Sequence, residues 1–355
     1  MPLDPIITVA ILSGEVNSRQ TKILKSIESI NNQTYKSLQK ILVNGGNPPH
    51  QTELLQHLGA DLSGWIIIDF PIDTMEIHRG TSTHKWTGQA ALNAASGEYF
   101  FSMNDDDFLE IDFFEKIVKL FKKYPSAISG MGVPIYYYYD TDTYGSYKIP
   151  TDKNGNIRPE YESGLEVTKK IFFEKSQTYQ RVIGFQPVSK TSKLRDVSTT
   201  FFSHGFPDTS SYFQLVSRGP AVFDSTALMY WGKHSSQHNL RASDRHYWFG
   251  SYKEDFTQYS KINCEIFKTY LPSNKSEVKK IKKFYKRLLI FSSLLALNSR
   301  FSHKVNKNEL DYKSNENYNG EPVKFPVALH LKIVLGGPIL ASQLIISNLV
   351  KRLNH

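Results

Sequence analysis

The sequence predicts an α/β fold followed by a helical C-terminal extension, and three features carry that prediction. Apolar runs rich in β-branched residues alternate with amphipathic stretches of helical period as far as Pro125. Those runs lack alternation with polar residues, as expected of strands covered on both faces. Past Leu271 the pattern gives way to a Lys-rich segment and then to long apolar ones.

Composition bounds the function. The chain has 355 residues, 40% hydrophobic and 22% charged, enough for one large core or two modest ones. Its 20 Tyr and 22 Phe exclude a disordered or fibrous class. The single cysteine, Cys264, excludes an intramolecular disulfide and a cysteine-rich zinc module. A net charge of +9 favours anionic partners such as nucleotides, phosphates or an acidic membrane surface. The opening "MPLDPIITVAILSG" has no basic leader and only a short apolar run. A first strand is expected there, not a signal peptide, and with it a cytoplasmic location.

Element by element, "IITVAILSG" (6–14) reads as the first strand. In "QTKILKSIESINNQTY", Ile23, Leu24, Ile27 and Ile30 recur at helical spacing, and the helix should stop near Asn31 and Asn32. "LQKILVNGGNPP" is a second strand ending in glycines, and "GWIIIDFP" a third. The Ala-rich "TGQAALNAASG" suits a helix closed by Gly97, and "EYFFSM" the strand after it. "LEIDFFEKIVKLFKKYP" reads as a helix with Phe113, Phe114, Ile117, Leu120 and Phe121 on its inner stripe, stopped by Pro125. From Tyr136 to about Lys193 the pattern is irregular and reads as loops and lid-like pieces. Regular patterning returns in "VSTTFFSHGFPDTSSYFQLVSRG" and "AVFDSTALMYWGKH".

Between the fourth strand and the helix after it stands "NDDD", Asn104 to Asp107. The carboxyl edge of a strand in an open α/β sheet is where ligands bind. Residue chemistry leaves two roles open here. Asp106 or Asp107 can cap the following helix. Alternatively, a hard divalent ion can offset the mutual repulsion of the carboxylates and bind phosphate oxygens at its open positions.

Taken in order, these segments resemble a known family. "ITVAIL", "KILKSIESINNQTYKSLQKILVNGG" and "AALNAASGEYFFSMNDDDF" are similar to the nucleotide-binding half of the family 2 glycosyltransferases. "FPDTSSYFQLVSRGPAVFDSTALMYWGKHSSQHN" resembles their acceptor-side block. The resemblance covers roughly residues 6–240 and implies the GT-A fold, a Rossmann-like mixed sheet flanked by helices. It also implies an inverting, metal-dependent transfer from a nucleotide-diphosphate sugar to a saccharide or lipid-linked acceptor in surface glycan synthesis. The cofactor implied is a divalent metal, Mn²⁺ or Mg²⁺. Three regions are expected: 1–130 as the nucleotide-sugar-binding half, 131–265 as the acceptor-binding half, and 266–355 as a basic and apolar helical region.

The family's Asp-x-Asp motif falls on Asn104, Asp105 and Asp106, with Asp107 beside it. The resemblance makes Asp106 the metal ligand, with Asp107 or Asp105 as its helper and His234 as a further ligand, and Asn104 and Asp105 contacts to the donor. Asn104 departs from the family's first aspartate; its amide oxygen can still accept a hydrogen bond but brings no charge. Where the family reads the nucleobase with an aspartate, this chain has Asn44 and Gly45. Where the family has Arg-Asn it has Gly88 and Gln89, so Lys85 or Arg79 is expected to supply the missing positive charge. The catalytic base maps to Asp208, whose other role is helix N-cap; Asp244 and Asp224 are the fallbacks. Lys233 in "YWGKHSSQHN" is expected to meet the diphosphate as a point charge, and His234 or His238 to serve as ligand or donor. The aromatics of "IYYYYDTDTYGSY" suit stacking on sugar rings, whereas its Asp140 to Asp142 lack the strand-to-helix setting of a metal motif.

The C-terminal region admits two readings. It is a helical pair packed on the catalytic domain, or a surface-lying membrane anchor with Lys279, Lys280, Lys282, Lys283, Lys286 and Arg287 toward acidic lipid on the inner face of the membrane. The apolar stretch after Phe325 is broken by His330, Lys332, Gly336, Gly337 and Pro338, which argues against a spanning helix. Two alternatives to a working enzyme follow from the same residues. One is a catalytically inactive scaffold of this fold. The other is a nucleic-acid-binding protein, which the confinement of basic residues to one distal stretch disfavours. Oligomeric state has no signature in the sequence.

Overall fold

The computed structural model describes residues 4–13, 20–44, 51–69, 83–147, 149–152, 154–164, 166–167, 187–196, 215–216 and 218–234. One sheet organises them. Its strands are β1 (Ile7–Ser13), β2 (Leu38–Asn44), β3 (Trp65–Asp69), β4 (Tyr99–Asn104), β5 (Phe108–Leu109), β6 (Ser129–Tyr138), β7 (Thr143–Tyr144), β8 (Tyr161–Glu162), β9 (Val188–Lys190) and β10 (Ala221–Lys233). The helices are α1 (Gln20–Asn31), α2 (Gln51–His57), α3 (Thr83–Ala94), α4 (Phe113–Lys123) and α5 (Thr191–Arg195).

The strand order is β3-β2-β1-β4-β9-β6-β10-β5, with β7 paired to β6 and β8 to β10. β3, β2, β1 and β4 run parallel, and β6 runs parallel to β10. The short β9 joins the two groups by antiparallel pairing to β4 and β6. This is the expected mixed α/β sheet. The expected division at 130/131 falls inside β6, so the two halves share one sheet.

Burial on both faces explains why the strands read as unbroken apolar runs. In β1, Ile7, Val9 and Ile11 enter the larger core with Ile23 and Ile27 of α1 and Phe113, Phe114 and Ile117 of α4. Ala10 and Leu12 enter a second core with Ala91 and Leu92 of α3 and Leu194 of α5. β4 divides likewise, Phe101 and Met103 to one side and Phe100 to the other. Each buried phenylalanine contributes roughly 2–3 kcal/mol by transfer from water.

Three expectations change. The helix after "NDDD" begins at Phe113, not near Leu109, because Phe108 and Leu109 pair with Tyr230 and Met229 as β5. That pairing stacks Phe108 on the Tyr230 ring at 4.6 Å between centroids. Asp106 and Asp107 therefore do not stand at that helix's N-cap; the position belongs to Asp112, which makes no side-chain cap bond. Lastly, Ile135 to Tyr138 are part of β6, held by the parallel partner β10, so the irregular stretch starts after them. Asp142 sits in the β6–β7 hairpin with φ of 52° and accepts a hydrogen bond from the Tyr137 hydroxyl. The expected C-terminal helical extension lies outside the described residues.

Candidate active site

The chain moves from β1 to β2 and β3 on one side and returns as β4 on the other, so the carboxyl ends of β1 and β4 form the sheet's topological switch point. Asn104 ends β4, and the acidic turn follows it there. All three aspartates are buried: Asp105 is 0% exposed, Asp106 and Asp107 5% each.

Each carboxylate has its own surroundings. The Ser13 hydroxyl at the end of β1 donates to Asp105 Oδ2 at 3.3 Å. Asp106 Oδ2 lies 3.1 Å from His234 Nε2, an ion pair when the imidazole is protonated. Asp107 Oδ1 accepts the Gly232 N–H at 3.1 Å, and its Oδ2 the Asn104 amide at 3.3 Å. Burial pushes the Asp107 carboxyl well above its usual range, and the neighbouring Asp106 charge, then that of Asp105, adds to the rise against the backbone bonds from Gly232 and Asn104.

The turn is clamped from several elements. Ser26 Oγ of α1 lies 2.5 Å from the Asp107 carbonyl and 3.1 Å from that of Asp105. The Tyr139 hydroxyl donates to the Asp106 carbonyl at 3.1 Å; burial raises that phenol's pKa, and the charge of Asp106 raises it further. From β10, Gly232 approaches so closely that a Cβ there would sit 2.0 Å from the Asp106 carbonyl oxygen. Only glycine fits.

The sequence-derived residues converge in part. Asn104, Asp105, Asp106, Asp107 and His234 meet at this turn. Lys233 ends β10 beside them, with its ammonium 3.7 Å from the Trp231 ring centroid and 5.2 Å from that of Tyr136. Burial lowers its pKa, opposed by Asp107 and then Asp106. Asn44 ends β2, two strands from the turn, and is 3% exposed. Lys85 lies in α3, but its side chain is outside the described residues, as are Gly45, Arg79, Asp208, His238 and Asp244. Asp224 lies early in β10, at the far end of the strand from Lys233, where its Oδ1 accepts the Thr226 N–H at 2.7 Å and the Ala227 N–H at 3.1 Å. It holds the strand's irregularity there and is too far along β10 to serve as the base.

The aromatics at the end of β6 spend much of their surface on one another. Tyr137 meets Phe108 edge-on at 5.1 Å, and the Lys25 ammonium sits over both rings at 3.7 and 4.3 Å. Sequence reasoning missed Ser13, Ser26, Asp69, Trp231 and Gly232, and gave Tyr139 a stacking role in place of its hydrogen bond to the turn. Of these, Gly232 alone left a local signal, a glycine inside an otherwise apolar strand.

Among the described residues, no group of three or more His, Cys, Asp or Glu is arranged to hold a metal ion. None of the described helices is long and apolar enough to cross a membrane. Residues 16–187 match the model of the family described as "Glycosyl transferase family 2". Among solved structures, the crystal structure of S. aureus TarS 1-349 is similar at 12% identity and a TM-score of 0.50, covering 87% of this chain and 75% of that one. A second, S. aureus TarS 1-349 in complex with UDP-GlcNAc, gives 11% identity, 87% and 76% coverage, and a TM-score of 0.48. No curated protein sequence matches significantly. The buried acidic turn at the switch point of the mixed sheet thus lies in the region that matches the family 2 glycosyltransferase model, on a sheet whose fold is similar to that of the TarS structure.

Proposed function

We propose that the protein transfers a sugar, with inversion, from a nucleotide-diphosphate donor to a saccharide or lipid-linked acceptor, aided by Mn²⁺ or Mg²⁺. The observation that carries the metal reading is the 3.1 Å approach of Asp106 to His234 inside a turn of three buried carboxylates. Both atoms are ordinary ligands for a divalent ion, and burial of so much like charge favours a cation. With two protein ligands described, donor phosphate oxygens and water would complete the shell. Bound there, the ion would neutralise charge on the departing diphosphate.

The chain's own residues do the rest. Ser26, Tyr139 and Gly232 hold the acidic turn in place. Lys233 adds positive charge near the leaving group. Asp208 takes the proton from the acceptor hydroxyl as its oxygen bonds the anomeric carbon and the bond to the diphosphate breaks. Residues 1–130 serve the donor, 131–265 the acceptor, and the basic run near residue 280 seats the enzyme on the cytoplasmic face of an acidic membrane.

A calorimetric screen of UDP, GDP, dTDP, CDP and ADP, with and without Mn²⁺ or Mg²⁺, tests this reading, paired with an assay for nucleotide-sugar turnover. Metal-dependent binding of at least one nucleotide is expected. Absence of both binding and turnover across the panel overturns it.

A further inference from the structure

Resting on the nucleotide-donor reading, we propose that Asp69 locks the Asn44 side-chain amide in one orientation, so that its Oδ1 selects nucleobases carrying a ring N–H. Asn44 and Asp69 are in register at the carboxyl ends of the adjacent parallel strands β2 and β3. Asn44 Nδ2 donates to Asp69 Oδ1 at 2.6 Å and to Thr52 Oγ1 at 3.2 Å. A carboxylate accepts and cannot donate, so the short contact fixes which end of the planar amide is nitrogen. Asn44 Oδ1 is left buried with no hydrogen-bond partner among the described residues. A buried acceptor without a donor is costly and uncommon in a folded protein, which points to a partner that arrives with a ligand.

The position fits a base. Ser13, which donates to Asp105, is in register with Asn44 across β1 and β2. The polar groups therefore follow one sheet edge from the acidic turn to Asn44, two strands away. At a strand spacing of about 4.8 Å the separation is roughly 10 Å, a span that a phosphate and a ribose can bridge. Uracil, thymine and guanine present a ring N–H at the edge that pairs with other bases. Cytosine and adenine present a bare ring nitrogen there and would set acceptor against acceptor. The carboxylate that the sequence lacks at the end of β2 thus acts from β3, through the amide. Asp69 is a positioning residue in this scheme.

The test compares bases of equal size, UDP against CDP and GDP against ADP, by calorimetry on the full chain with saturating Mg²⁺. In whichever size class binds, the N–H base should bind at least about 10-fold tighter, the usual cost of an unpaired polar contact. In Asp69→Asn the Asn44 amide is free to turn over, and the ratio should fall toward one. The exchanged double variant Asn44→Asp/Asp69→Asn keeps an acceptor at position 44 and should restore the preference. Thermal unfolding of each variant identifies any that fails to fold. Should Asp69→Asn alone unfold, the wild-type ratio and the double variant still decide. A wild type without preference, an Asp69→Asn variant that keeps it, or a folded double variant that lacks it overturns the inference while leaving the donor reading intact. Failure of every nucleotide to bind overturns both.

Discussion

Asp106 and Asp107 are equally buried neighbours with different partners. Both oxygens of Asp107 accept hydrogen bonds from the protein, whereas Asp106 Oδ2 faces His234. Asp106→Ala should therefore lower kcat/KM by about 100-fold or more, the loss of several kcal/mol of charge stabilisation, while the unfolding temperature stays within a few degrees. Loss of the fold would make Asp106 structural. Asp208→Asn should leave donor binding unchanged and lower transfer by about 100-fold or more; unchanged turnover moves the base elsewhere. Asp107 provides a pH signature. Its folded pKa is raised above the unfolded value of 3.8, so the native state holds the proton more tightly. The stability it contributes is full below that unfolded value and is lost as pH rises through the raised native one. In metal-free protein, denaturant titrations at about pH 5 and pH 7 should show wild type losing more stability on going up than Asp107→Asn does. Parallel profiles would show that the carboxyl is not held protonated.

Elements were legible in the sequence where their signal is local. The double-faced burial of β1, β2 and β4 and the apolar stripe of α4 are written in residues close along the chain. β5, β8 and β9 are two or three residues long and exist because distant strands supply their partners, while the two-residue β7 is a hairpin return on β6. The site divides the same way. The acidic turn and His234 were legible through their motif positions, but the Asn44–Asp69 contact joins the ends of two strands and leaves no pattern in either. Gly232 belongs to this scale because it sets how closely β10 approaches the turn. In Gly232→Ala a Cβ 2.0 Å from the Asp106 carbonyl forces two backbones apart. The cost is about 1–3 kcal/mol by the usual range for overpacking, read as a drop of several degrees in unfolding temperature and a fall in activity, since Asp107 loses its N–H donor. Wild-type stability and turnover in this variant would mean that the strand can shift without consequence.

At the scale of the whole molecule, the chain's net charge of +9 is unevenly placed. Lys279, Lys280, Lys282, Lys283, Lys286 and Arg287 lie within nine consecutive positions, against an acidic active-site turn in the sheet. A cation cluster beside the nucleotide would compete with the metal for phosphate, whereas one on a distal segment can meet an anionic surface independently of catalysis. Each Lys or Arg near an acidic bilayer contributes about 1 kcal/mol, and the attraction fades over a Debye length of about 8 Å at physiological salt. Six such residues are enough for reversible binding without a spanning helix. The full chain should therefore float with vesicles containing anionic phospholipid, should not float with purely zwitterionic ones, and should be released by raised salt. Replacing all six with glutamine in the full chain should abolish flotation and leave turnover of a soluble donor unchanged. Flotation that persists in that variant, or that ignores salt, would assign the attachment to the apolar stretch after Phe325.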